Sequence, residues 1–402
     1  MRRPDPWAAV AGVAQVAARA WEVPRDLLLG RYPAFVTGGP LPRGHVPVFV
    51  FHSLEPESFS RKLQYLADND YVTLSATEYF QFLMGTRPAP PGALVLSFDD
   101  GRGSLWSVGQ PLLRRFGMKG IVFLVPGRVQ SRPGPLPPTW DDVEARRHSS
   151  GAILDRERGE GALLSWEEIA ALARSGVFDF QSHTHTHARI HAAPRVVDFL
   201  TPQRRHGYEA MDVPLVQVGS EDRFAGELPL GTPLLASEPR TSEALRFYED
   251  ESIRRACVDE VAAEGEAFFA RPDWRPRLRR LVDRRSVPGR WETPAERERA
   301  LRHDLAESRR AIEERTGQPV LHLCYPWHAA GPTARRLARE AGYRTAFLGK
   351  VPGTPITLPG GDPMSIARIG EDYVELLPGR GRADLSEVLR RKWRRRAHGA
   401  GS

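Results

Sequence analysis

Two short segments about eighty residues apart carry most of the reactive side chains of this 402-residue chain. One is Leu96-Ser97-Phe98-Asp99-Asp100-Gly101, the other Ser182-His183-Thr184-His185-Thr186-His187. Each follows an apolar run that reads as a buried strand. Neighbours on a strand point to opposite faces, but where a strand ends and the chain turns, both carboxylates can face one site. Gly101 permits such a turn. Of two adjacent carboxylates, one can bind a metal and the other serve as general base for water. Alone, Asp-Asp-Gly is more often only a turn. On an extended strand His183, His185 and His187 face one way; on a helical turn His183 and His187 converge. Either way two imidazoles can hold one divalent ion, zinc before cobalt, nickel or iron. The competing reading is a polar loop with exposed histidines. His191 and His206 are lone loop histidines and are left out.

The elements that must bring these segments together alternate in type. Strands are expected at Val46–Phe51, Tyr71–Leu74, Ala93–Phe98, Gly120–Val125, Val177–Gln181, Val320–Tyr325, Arg344–Leu348 and Ser365–Ile369. Between them lie amphipathic helices, among them Ser58–Asn69, Ala76–Met84, Leu105–Phe116 and one opened by Ser165 and Glu168 as a capping box. This alternation means an α/β fold with parallel strands and crossover helices. In such folds ligands collect past the C-terminal ends of the strands. His52, Asp99, Asp100, His183 and Pro326-Trp327 all lie there. Residues 127–161 read as a long loop. Residues 1–44 read as an N-terminal helix and connector, 45–191 with 301–375 as the catalytic unit, 192–300 as an insertion over the site, and 376–402 as a basic tail.

Composition narrows the class. Hydrophobic residues make up 41% and charged residues 27%, which fits a globular chain. The net charge of +7 is modest and is not gathered with aromatics into one face, so no nucleic-acid partner is expected. Two cysteines, Cys257 and Cys324, exclude a disulfide scaffold or a cysteine-rich zinc site. No apolar run reaches the roughly 18–20 residues needed to cross a membrane. The stretch Trp7 to Trp21 reads as an amphipathic helix rather than a cleaved signal. The expected location is cytoplasmic or peripheral to the inner membrane, with secretion left open.

Phe51-His52-Ser53, Ser97-Phe98-Asp99-Asp100-Gly101, His183-Thr184-His185-Thr186-His187 and Tyr325-Pro326-Trp327 resemble, in order, the motifs of the polysaccharide deacetylases (carbohydrate esterase family 4, NodB-type). The resemblance covers roughly 46–191 and 301–370. It implies a distorted (β/α) barrel of about seven parallel strands carrying a large insertion. It also implies removal of an acetyl group from an N-acetylated sugar or glycan, which the apolar stretches of the insertion extend to a lipid-linked one. Asp100, His183 and His187 are similar to the metal ligands and Asp99 to the catalytic base. The backbone N–H of Trp327 is similar to the oxyanion donor, with Tyr325 and Pro326 lining the substrate.

Two departures stand out. Many members have an arginine two residues before the proline to pair with the base; here that position is Cys324, and Arg368 is the substitute expected. Many members also carry a Leu-x-His motif near the C-terminus that supplies the acid. None is evident, and His52 resembles the equivalent residue of a permuted branch. A small-molecule amidase or deformylase, or an inactive carbohydrate-binding relative, are the alternative readings. The basic run Arg390-Arg391-Lys392-Trp393-Arg394-Arg395-Arg396 reads as a solvated end; like the N-terminal helix, it is also a site for peripheral contact with anionic lipid.

Overall fold

The computed structural model describes residues 22–157, 159–282, 287–350 and 355–397. The helix expected over Trp7 to Trp21 lies outside them.

Seven short strands run parallel: β1 (Val48–Phe51), β2 (Ala93–Asp100), β3 (Gly120–Leu124), β4 (Phe178–Ser182), β5 (His322–Cys324), β6 (Thr345–Phe347) and β7 (Ile369–Gly370). Their order is β6-β5-β4-β3-β2-β1-β7, and Val72–Thr73 adds a short flank to β2. Ile366, just ahead of β7, bridges back to Phe347 of β6. The sheet therefore curls until its two ends meet through residues 366–370. The union of β4 with β5 is the loosest, with one register pair, Leu323 opposite Ser182. There the Gln181 side chain accepts from Leu321 and His322 N–H at 3.0 and 2.9 Å and so replaces ladder bonds.

Side-chain alternation sorts the strands into an inner and an outer face. Leu94, Leu96 and Phe98 of β2, Val122 and Leu124 of β3, and Phe178 and Phe180 of β4 join the outer core under the helices. Val48, Ala93, Val95, Ile121, Phe123, Cys324, Phe347 and Ile366 fill the lumen. The inward phase of β1 continues to His52, that of β2 to Ser97 and Asp99, and that of β4 to His183. These side chains crown the lumen because each caps the inward row of its own strand.

The helices follow the sequence closely, with instructive exceptions. Ser165 and Glu168 form the capping box of Trp166–Ser175. The long helix Pro294–Thr316 starts inside the stretch read as an insertion, because Thr293 and Glu296 cap it there. The stretch 127–161, read as a loop, contains helices Trp140–Glu144 and Ser150–Arg156. Within the insertion the strand Pro233–Pro239 pairs antiparallel with Arg189–Phe199. Around that ribbon the inserted residues build their own core from Phe199, Leu235, Phe247, Cys257, Val261, Phe268 and Leu278.

The basic run near the C-terminus is not a loose solvated end. It lies on the helix Leu385–Ala397. Arg391 meets Glu375 at 2.8 Å, Lys392 meets Asp372 at 3.2 Å, and Arg395 pairs with Asp372. Among the described residues no helix is long and apolar enough to cross a membrane.

Candidate active site

Asp99 and Asp100 end β2 and both are 98% buried, at 2% relative exposure. Asp99 follows the inward phase of its strand. By alternation Asp100 should turn away, but its φ of +70° swings it back, and Gly101 repeats the same φ. The φ of Gly101 lies in the region that favours glycine, and a Cβ there would stand 2.5 Å from Leu124 Cδ1 and push that side chain aside. The turn is what lets two sequential carboxylates share one site.

His183 follows β4, and its ring is oriented by the strand beside it: Nδ1 lies 2.8 Å from the Cys324 carbonyl oxygen. That carbonyl can only accept, so Nδ1 carries the proton and Nε2 presents a lone pair to the site. His187 reaches the same point through a tight loop with φ of +62° at Thr184 and +50° at His187 itself. Asp304, on the long helix Pro294–Thr316, pins this loop by accepting from His185 N–H, Thr186 N–H and the Thr186 hydroxyl at 3.2, 3.1 and 2.7 Å. The His183 and His187 rings sit 4.7 Å apart, edge to face.

Asp100 Oδ1 is 3.6 Å from His183 Nε2 and 3.6 Å from His187 Nε2. Donors bound to one tetrahedral zinc at about 2.0–2.1 Å stand roughly 3.4 Å apart, so this trio is spaced to close on an ion with little movement. Asp100, His183 and His187 form one of two groups of potential metal ligands among the described residues; the other is Asp99, His183 and Cys324. The second fits less well, because Arg368 already occupies both Asp99 oxygens. His185 belongs to neither; its ring and carbonyl pack against Gly127. His191 is committed to the insertion, 3.1 Å from Glu249.

Arg368, fully buried ahead of β7, grips Asp99 with two parallel bonds of 2.7 Å, Nη1 to Oδ1 and Nη2 to Oδ2. Its Nη1 also donates to Ser97 Oγ at 3.1 Å, and its Nε donates to the Leu348 carbonyl at 2.8 Å. The cation that β5 does not supply thus arrives from the strand that closes the barrel. Cys324, on β5, lies under the pair, its Sγ 2.9 Å from Arg368 Nη2. Burial opposes ionisation of Asp99, but Arg368 and His183 outweigh it and hold the carboxyl far below the usual carboxylate range. For Asp100, burial is likewise outweighed by His187, His52 and His183. Burial, followed by the neighbouring His183, pushes the His187 pKa down to about 3, so the His187 imidazole is available as a neutral ligand.

His52 is half-buried and close enough to act electrostatically on both carboxylates. Tyr325 and Pro326 are buried and form the base of the turn that presents Trp327. Trp327 has φ of +57° and His328 +56°. The Trp327 ring lies 4.8 Å from that of His187, and the Arg189 guanidinium covers it at 5.1 Å. Of the seven described residues other than glycine with left-handed φ, five stand here: Asp100, Thr184, His187, Trp327 and His328. Such strain persists only where surrounding structure over-determines it, and it gathers at functional sites.

Sequence reasoning missed Tyr208 and Asp304. Tyr208, from the inserted residues, donates its hydroxyl to Asp100 Oδ2 at 3.1 Å, leaving Oδ1 toward the histidines. Its ring lies under the Arg102 guanidinium at 4.2 Å. No local pattern marks either residue, since each acts across more than a hundred positions of chain.

Residues 86–205 match the family model described as polysaccharide deacetylase. The poly-β-1,6-N-acetyl-D-glucosamine N-deacetylase of Escherichia coli K12 is 26% identical over 145 residues, which is 35% of this chain and 19% of that protein. The chain thus matches about a fifth of that relative's length. The deacetylase domain of BpsB from Bordetella bronchiseptica superposes with a TM-score of 0.49 at 17% identity, covering 83% of this chain and 98% of that one. The Streptococcus pyogenes deacetylase PplD, in complex with acetate, gives 0.45 at 12% identity, with 88% and 98% covered. The motifs stand in order at the strand ends, and the match to the polysaccharide deacetylase model runs through both Asp99-Asp100 and His183–His187.

Proposed function

We propose that this protein is a metal-dependent hydrolase that removes the acetyl group from an N-acetylated amino sugar within a glycan. One observation carries the reading: Asp100, His183 and His187 converge on one point while Asp99, immediately beside them, is held ionised and immobile by Arg368. A divalent ion held by that trio would supply Lewis acidity at the acetyl oxygen and at the attacking water.

The chain's own residues account for the proton movements. Asp99 takes a proton from the water as its oxygen bonds to the acetyl carbon. The low affinity of Asp99 for that proton, enforced by Arg368, makes it a relay rather than a store. The Trp327 N–H faces the charge that grows on the acetyl oxygen, a contribution of about 3–4 kcal/mol per donor in other hydrolases. His52 gives a proton to the nitrogen as the C–N bond breaks, releasing the free amine and acetate. The Trp327 ring and the Tyr325-Pro326 turn shape the wall against which the sugar rests.

The test is acetate release from N-acetylglucosamine oligomers. A chelator should abolish it, and zinc or cobalt should restore it; activity indifferent to the chelator would sink the mechanism. Asp99→Asn should keep its metal and lose turnover by about 10²–10⁴-fold. His52→Ala should lower turnover more than metal content, and metal loss instead would make His52 a ligand.

A further inference from the structure

Beside the metal trio lies a second cavity of about 460 Å³, within the range of roughly 300–1,000 Å³ typical of small-ligand sites. Its walls come from the segment after β3, from residues 159–163, and from the inserted residues 205–227. Arg128, Arg132, Arg205 and His206 face it, with Met211 and Phe224 as its apolar side. Glu227 also lines it, but its carboxylate is spent on Arg223 at 3.0 Å and on Phe224 N–H at 2.9 Å.

The cavity shares a wall with the active site. Arg128 donates from Nε to the Thr186 carbonyl at 3.1 Å, within the histidine loop itself. Gly127 presses on that loop so closely that a Cβ would stand 2.6 Å from the His185 carbonyl oxygen. On the opposite side, Gly207 lines the cavity and the next residue, Tyr208, bonds to Asp100. A ligand in the cavity is therefore adjacent to a group held at Asp100.

The arginines here differ from the rest of the protein. Every buried arginine among the described residues has a carboxylate partner: Arg102, Arg240, Arg246, Arg254, Arg297 and Arg368. Arg128 and Arg205 are half-buried, yet among the described residues neither has an ion-pair partner. The Arg205 Nε is shut away from solvent with no hydrogen-bond partner. The Arg128 guanidinium lies 4.4 Å over the Phe224 ring and is desolvated enough that burial pushes its pKa down to about 10, still a cation at neutral pH. Among the described residues neither of these half-buried guanidinium groups closes an ion pair, Asp100 and Asp212 acting on Arg128 only across a distance, so two cations that face a cavity with room for a sugar unit lack a direct anionic partner.

We propose that this cavity binds an anionic substituent, phosphate or carboxylate, on the sugar next to the one being deacetylated, with Arg128 and Arg205 as its partners. The inference rests on the deacetylase reading and narrows its substrate to acidic glycans. It gives the inserted residues a task in selection, since they supply Arg205 and half of the cavity wall.

The experiment compares three N-acetylglucosamine-containing oligomers of equal length: one neutral, one with alternating uronic acid units, and one phosphorylated on the neighbouring sugar. With the zinc-loaded full chain, kcat/KM should favour at least one acidic oligomer by about tenfold or more, and which one identifies the anion. Arg205→Gln should lower the ratio of acidic to neutral kcat/KM about tenfold, and Arg205→Lys should recover part of it. The preference should also weaken as salt is raised. Equal turnover of all three, or an Arg205→Gln variant with an unchanged ratio, would overturn the proposal. Calorimetric titration with the same acidic oligomers reads binding without turnover. If no oligomer releases acetate, the deacetylase reading fails, and binding lost in Arg205→Gln still supports the anion site. If the neutral oligomer is turned over while the acidic ones neither bind nor react better, only the anion site fails.

Discussion

At the scale of single residues the site is organised around one buried ion pair. Asp99 and Arg368 are both almost without solvent contact, and the guanidinium meets the carboxylate through two bonds of 2.7 Å. Removing one member of such a pair leaves the other charge buried and uncompensated, which costs about 3–5 kcal/mol. Arg368→Ala should therefore lose stability on that scale in urea denaturation, together with activity. Arg368→Lys should fold better than Arg368→Ala yet stay impaired, since an ammonium cannot grip both oxygens. A loss below about 1 kcal/mol for Arg368→Ala would show that the pair is not closed as described. The need for a cation at Asp99 was legible in the sequence from Cys324, which stands where an arginine is usual. Arg368 could be named only as a cation at the last strand; its reach to Asp99 depends on how the barrel closes, which no local pattern encodes.

At the scale of elements, the proposed ligands are held by neighbours that stand outside the trio itself. The carbonyl of Cys324 on β5 fixes the His183 ring, and Asp304 on the long helix fixes the loop that delivers His187. Partners that orient ligands in this way typically contribute 10–100-fold in metal affinity. Asp304→Ala should weaken zinc binding by about that factor in a competitive titration while leaving helical circular dichroism unchanged. Unaltered affinity would reduce Asp304 to a helix-surface contact. The strands, the capping box at Ser165 and the phase of His52 and His183 were readable because each depends on residues close in sequence. The helix start at Thr293 was also written locally, as a second capping box with Glu296, but it lay in a stretch whose lack of βα rhythm concealed it. Tyr208 reads as an ordinary surface tyrosine, and only the tertiary fold carries its hydroxyl to Asp100.

At the scale of the whole molecule, the protein folds around histidines it keeps uncharged. Burial lowers the His45 pKa to about 4 and, for His322 in the lumen against Thr345, to about 3, from an ordinary value of 6.5. Below pH 6.5 the unfolded chain takes up protons there that the native state refuses. Stability from these groups is complete above pH 6.5 and declines as pH falls toward 4, by about 1.4 kcal/mol per pH unit for each histidine. The melting temperature of chelated protein should fall across that window, and His322→Gln should flatten the slope. A melting temperature independent of pH between 6.5 and 4 would contradict the burial of these rings. The barrel was legible because its alternation of strand and helix is a repeated signal, whereas the inserted residues fold as a ribbon with its own core, where pairing between Arg189–Phe199 and Pro233–Pro239 spans some forty residues of mixed composition.

The closing of the barrel also sets an order in time. Asp99 and its cation are separated by 269 positions in the chain. During synthesis β2 is made long before residue 368 exists, so the carboxylate must wait, solvated, while most of the barrel is translated. The segment that closes the barrel both seals the lumen and neutralises the buried Asp99, so the nascent chain gains its sealed barrel and its paired carboxylate in one event. Until then the protein has no reason to bury Asp99, and a ribosome stalled before residue 368 would hold an open sheet rather than a closed barrel.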